Sequence, residues 1–138
     1  MRYVLDTNAV SALMKGDARV LRRLGMLNRG DAAIPQPAIA EIAYGIERLP
    51  RSKRRSALED RFELVRTELA RSPWTDAVSE RFGAIKATLE RKGHRIEDFD
   101  AAIAAHALVE GATLVTANLA DMTRVPDLQV EDWARDEE

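Results

Sequence analysis

Cysteine is absent from all 138 residues, which removes disulfides, thiolate nucleophiles and cysteine-ligated zinc together. No apolar leader follows Met1 either. Met1-Arg2-Tyr3 passes directly into Val4-Leu5-Asp6, without the apolar stretch of a secretory signal, and a cytoplasmic location is expected. Internal repeats, low-complexity tracts and linker-like segments are also missing. The expectation is therefore one domain over residues 1–138, long enough to bury a core without covalent staples. The longest stretch of low charge, Ala101 to Ala120, carries only Glu110 as a formal charge. It is rich in alanine rather than leucine or isoleucine, and Gly111 divides it into a helical and a strand pattern, so it reads as buried core and no membrane contact is expected.

What is present begins with an uneven charge. The formal net charge is −2, but residues 131–138 hold five acids and one arginine, which leaves the rest of the chain at +2. A mildly basic body thus carries an acidic tail. Within the body, Arg48, Arg51, Lys53, Arg54 and Arg55 form a basic cluster. It could follow a phosphate backbone or simply be the solvated start of a helix.

Short β-type runs alternate with helical periods, the pattern of an α/β domain with a mainly parallel sheet flanked by helices. Tyr3-Val4-Leu5, Ala32-Ala33-Ile34 and Thr113 to Thr116 are strand candidates, with a last short strand around Leu128 to Val130. Helices are predicted over Asn8 to Met14, Ala18 to Leu27, and from Pro37 toward Arg48, with Pro37 suited to a first turn. Two further apolar stripes follow, Leu58-Phe62-Val65-Leu69 and Val78-Phe82-Ile85-Leu89. They are predicted to pair as an antiparallel hairpin broken at Ser72-Pro73-Trp74-Thr75, with Thr75 as N-cap and Gly93 as the later stop. A sixth helix starts near Asp98 and is closed by Gly111.

Acidic or amide residues fall at four places, at strand ends or helix starts, the fourth offering two candidates. Asp6 directly follows the first strand, and in open α/β sheets ligands bind at the carboxyl ends of the strands. Position alone does not separate that role from capping the next helix. Glu41 lies beside an apolar helical stripe, between Ala40 and Ile42, so it needs a partner, Arg48 being the ordinary one. Asp100 stands in the first turn of a nearly uncharged helix, where the helix dipole favours an anion. Asn118 and Asp121 follow the strand ending at Thr116. Converging carboxylates repel one another and acquire raised pKa values unless a cation neutralises them. An oxygen-only ligand set points to a hard divalent ion, Mg2+ or Mn2+. Such a centre suits phosphodiester hydrolysis.

The residues are, moreover, similar to a known family. Val4-Leu5-Asp6-Thr7-Asn8, Ala38-Ile39-Ala40-Glu41-Ile42 with Gly45, and Asp100-Ala101-Ala102-Ile103-Ala104-Ala105-His106-Ala107 resemble the PIN-domain ribonucleases of the VapC toxin type. So do Leu114-Val115-Thr116-Ala117-Asn118 with Asp121, and Val130-Glu131-Asp132-Trp133. The resemblance spans essentially the whole chain and implies a PIN-like three-layer fold. It implies that Asp6 and Asp100 bind Mg2+, with Glu41 completing the acidic centre or holding water on the ion. It further implies RNA cleavage that blocks translation, often of transfer RNA, a homodimer, and neutralisation by a small cognate antitoxin. The sequence departs from the family pattern twice. Asn118 stands where many relatives carry an acid, leaving Asn118 and Asp121 as alternative fourth members, and Ala40 stands where serine is common.

Two other readings compete. An aspartate-nucleophile phosphatase also places an aspartate after its first strand, but it needs a second acid two residues on, and that position is Asn8. A non-catalytic module of the same fold would use the acidic edge only for docking. His94 and His106 are expected on loops or surface and offer no second centre, since Asp100 and His106 lie about 240° apart around a helix.

Overall fold

The computed structural model describes residues 1–135. Five parallel strands form one sheet in the order β3-β2-β1-β4-β5. They are β1 (Tyr3–Leu5), β2 (Ala32–Pro35), β3 (Ala70–Ser72), β4 (Thr113–Val115) and β5 (Val130–Glu131). Parallel neighbours require crossover connections, and helices supply them. Helices α1 (Thr7–Met14) and α2 (Ala18–Gly25) link β1 to β2, while α3 (Gln36–Glu47) and α4 (Lys53–Glu68) link β2 to β3. Helices α5 (Asp76–Arg91) and α6 (Asp98–Glu110) return the chain to β4, and the one-turn α7 (Leu119–Met122) precedes β5. The strand order runs one way from β1 to β3 and the other way from β4 to β5. The topological switch point therefore falls between β1 and β4, where an open α/β sheet forms its ligand crevice.

The mainly parallel sheet flanked by helices is the predicted architecture, but three details differ. The two apolar stripes at 58–69 and 78–89 do not pair as a hairpin. The segment between them contains β3, an edge strand on β2, which makes α4 the end of one crossover and α5 the start of the next. α4 instead turns buried Phe62 inward, with Leu58, Val65 and Leu69 partly buried, and packs on α1 and α3. α5 spends its stripe on α6, the most extensive helix pairing in the molecule. Secondly, His106 is not a surface residue. It is fully buried in α6, its Nδ1 sharing a 2.8 Å hydrogen bond with Ser72 Oγ of the edge strand. Burial pushes its pKa down to about 4, so the ring is neutral in the folded protein. His94 is exposed, as expected. Thirdly, the last strand sits one to two residues later than expected. Its Glu131 and the adjoining Asp132 are tied down locally, by Arg23 and Trp133 and by the Ala134 amide and Arg135. The rest of the acidic tail, 136–138, lies outside the described residues.

Every residue from Ala101 to Ala107 is buried, which explains the absence of an amphipathic stripe there: the middle of α6 is enclosed on all sides while its ends reach the surface. Alanine lets α5 and the sheet approach closely. Gly111 ends the helix at φ 64°, where any other L residue would cost roughly 1 kcal/mol. None of the helices among the described residues is long and apolar enough to cross a membrane.

Candidate active site

The first position of the site is set by β1. Leu5 is fully buried in the sheet, and the next amide, Asp6 N, donates to Val115 O of β4 at 3.0 Å. Asp6 is thereby fixed at the switch point. Its side chain, only 4% exposed, accepts the Ala9 amide at 2.8 Å and so caps α1. The hydroxyl of Thr116, the residue after β4, acts on it from the same edge. Capping leaves the carboxylate free for a second partner, because it has about four acceptor positions and the cap uses one. Burial raises the Asp6 pKa above its ordinary 3.8. The bonds from Thr116 and Ala9 oppose that shift, and the negative charges of Glu41 and Asp132 reinforce it.

Glu41 projects from the middle of α3, partly buried. Its partner is Thr7, whose Oγ1 donates to Oε1 at 2.6 Å. Arg48, the expected partner, instead sits with its guanidinium 5.9 Å from the Tyr44 ring centroid. Asp100 lies in the first turn of α6 and is pushed up to about 6. Burial is the largest cause, followed by the charges of Glu41, Asp6, Asp121 and Glu97. Asp121, in α7, is held by Asn118, whose Nδ2 donates to Oδ2 at 3.2 Å. The amide and the acid therefore act as a pair, with Asp121 carrying the charge that Asp100 senses. Sequence reasoning gave no role to Thr7, Thr116 or Asp132. The signal for Asp132 was available, since it directly follows β5 at the same sheet edge as Asp6 follows β1.

A groove of about 900 Å3 opens on this cluster, lined by Glu41 and Asp100 together with Lys86, Arg95, Phe99 and neighbours from the ends of α5 and α6. Asp6 does not line it and acts from the buried side. The basic cluster at 48–55 is partly structural: Ser52 caps α4, and Arg55 pairs with Glu47 at 3.0 Å and Glu59 at 3.4 Å. Among the described residues no three carboxylates or imidazoles stand close enough to cage an ion by themselves. The donor set still fits a hard divalent ion. Two carboxyls with raised pKa values share one negative field, and Mg2+ ordinarily takes only one or two protein carboxylates and keeps its waters.

A carboxylate cluster at the switch point of a parallel α/β sheet is suited to metal-assisted hydrolysis of phosphate esters. The PIN domain profile matches residues 3–128. "Ribonuclease VapC2" of Haemophilus influenzae is 36% identical over 134 residues, covering 96% of this chain and 98% of that protein. "tRNA(fMet)-specific endonuclease VapC" of Shigella flexneri is 31% identical over 97% of this chain and 99% of its own length. Among solved structures, VapBC2 from Rickettsia felis bound to a DNA fragment from its promoter superposes with a TM-score of 0.86 at 30% identity. That match covers 96% of this chain and 99% of the other. The chain belongs to the PIN-domain family and, within it, to the VapC ribonucleases.

Proposed function

We propose that this protein, as a single PIN unit over residues 1–138, is a Mg2+-dependent endoribonuclease, with Mn2+ able to substitute, and the toxin of a toxin–antitoxin pair. The observation that carries the site assignment is the mutual charge of Asp6, Glu41, Asp100 and Asp121 at the switch point, unbalanced by any buried cation among the causes of the Asp6 and Asp100 shifts. Asp6 and Asp100 would hold the ion, with Glu41 completing the centre. When bound, the ion polarises the phosphoryl oxygen and lowers the pKa of a water that serves as nucleophile. Glu41, fixed through Oε1 by Thr7, keeps its second oxygen for orienting the attacking water. Asn118 holds Asp121, whose charge acts on Asp100 and strengthens cation binding. Transfer RNA is the substrate class, by analogy with the Shigella flexneri relative. A small antitoxin and a second copy of the chain are the expected partners, and the cytoplasm is the site of action.

The test is cleavage of tRNA by the purified chain with Mg2+, with EDTA, and in Asp6→Asn and Asp100→Asn proteins. Asparagine preserves the α1 cap at position 6, so folding should survive. Cleavage is expected only in the Mg2+-loaded wild type. Undiminished cleavage by either folded variant would overturn the assignment.

A further inference from the structure

Phe99 is the residue in this groove that the nuclease chemistry leaves unexplained. It sits in the first turn of α6, adjacent to Asp100, and is 46% exposed. Singly exposed apolar side chains are ordinary on protein surfaces. This one differs in its neighbours, because it lines the same groove as Glu41 and Asp100. The other apolar residues there offer no comparable surface: Leu89 and Ala101 are buried and Ile96 is half-buried. Core packing therefore does not account for the ring.

Two cations share the groove. Lys86 Nζ lies 3.1 Å from Asp98 and Arg95 lies 3.4 Å from Glu90, both in solvent-exposed pairs. Exposed pairs of this kind are worth little and exchange readily for phosphate. An aromatic face, exchangeable cations and an acidic centre in one groove match the three parts of a nucleotide strand: base, flanking phosphates and scissile phosphate. A helical protein segment would instead need apolar pockets at three- and four-residue spacing, and the groove presents one ring.

We propose that Phe99 is a stacking platform for the base of a nucleotide flanking the scissile phosphate, a binding residue distinct from the acidic centre. The inference rests on the nuclease reading above. Its test compares wild type, Phe99→Ala and Phe99→Trp on tRNA, and then on an RNA oligonucleotide spanning the cut site with a single abasic position placed beside the cleaved bond. Phe99→Ala is expected to raise KM roughly ten- to a hundredfold, the usual worth of one base stack, with kcat within about threefold. Phe99→Trp should restore KM. The abasic substitution should weaken the wild type by a similar factor and Phe99→Ala little further.

Unchanged KM in Phe99→Ala overturns the proposal and leaves the ring to a protein contact. So does a Phe99→Trp protein as poor as Phe99→Ala, or full additivity of the Phe99→Ala and abasic effects. These failures leave cleavage by the wild type intact, whereas a wild type that cleaves no RNA refutes the nuclease reading itself and this inference with it.

Discussion

Replacing Asp100 by Asn should stabilise this protein, and by an amount that grows with pH. Burial, then the charges of Glu41, Asp6, Asp121 and Glu97, moves the Asp100 carboxyl from 3.8 up to about 6. At about 1.4 kcal/mol per pH unit this shift corresponds to no more than ~3 kcal/mol of ionisation cost. The group is only half-buried, and solvent screening reduces the expectation to ~1–2 kcal/mol. The folded pKa lies above the unfolded one, so the folded state binds more protons between those two values. Stability therefore falls as pH rises through that window and stays lower above it. Asparagine does not titrate. The stability difference between Asp100→Asn and wild type should thus increase by ~1–2 kcal/mol between about pH 4 and about pH 7.5, read as a shift in urea midpoint at constant slope in EDTA. Mg2+ should close or reverse the gap, because an ion bound only by the folded wild type at a hundredfold excess over its Kd adds about 2.7 kcal/mol, more than that difference. A difference that is flat with pH, or that shrinks as pH rises, would refute the frustrated-carboxylate account of this site.

Two further substitutions probe neighbouring parts. Thr7→Val removes the 2.6 Å bond that holds Glu41 and should lower the cleavage rate roughly tenfold with the circular dichroism spectrum unchanged; an unaltered rate would show that Glu41 needs no anchor. His106→Ala should destabilise by roughly 2–4 kcal/mol through the cavity and the lost hydrogen bond to Ser72, which keeps only its bond to Glu110, measured by urea unfolding at neutral pH. For His106 the pH sign is opposite to that of Asp100. Its pKa is lowered from 6.5 to about 4, so the stability it contributes is present above 6.5 and is lost as pH falls toward 4. The loss on His106→Ala should shrink over that interval, and an unchanged loss at both ends would exclude a neutral buried ring.

Much of the fold was legible because its parts are locally encoded. Tyr3-Val4-Leu5 and Thr113-Leu114-Val115 are compact apolar runs, Gly111 and Gly93 stop helices, and the stripes of α4 and α5 have helical spacing. What failed were features without a local signature. β3 is the three-residue segment Ala-Arg-Ser, whose pairing depends on β2 being beside it rather than on alternation of its own side chains. Once that strand was missed, the hairpin between α4 and α5 followed as an error. His106 has no local signature for a related reason: the stretch 101–107 is buried on every side and shows no polar face, so nothing in the 3.6-residue period says which way its single imidazole points.

Residue identity and short spacing are enough to read the family, the acidic residue types, and the placement of Asp6 after a strand, Asp100 in a helix start and Glu41 beside an apolar helical stripe. The sequence by itself leaves Asp6, Glu41 and Asp100 each with a capping or ion-pair alternative. Tertiary contacts place the capping Asp6 at the switch point and make Thr7 rather than Arg48 the partner of Glu41. They also join Asn118 to Asp121 instead of leaving them as competitors. The physical reason is that electrostatic coupling depends on distance through space. The reversal of strand order between β1 and β4 brings together acids far apart in the chain, Asp6 and Asp100 being 94 positions apart and Asp6 and Asp132 126.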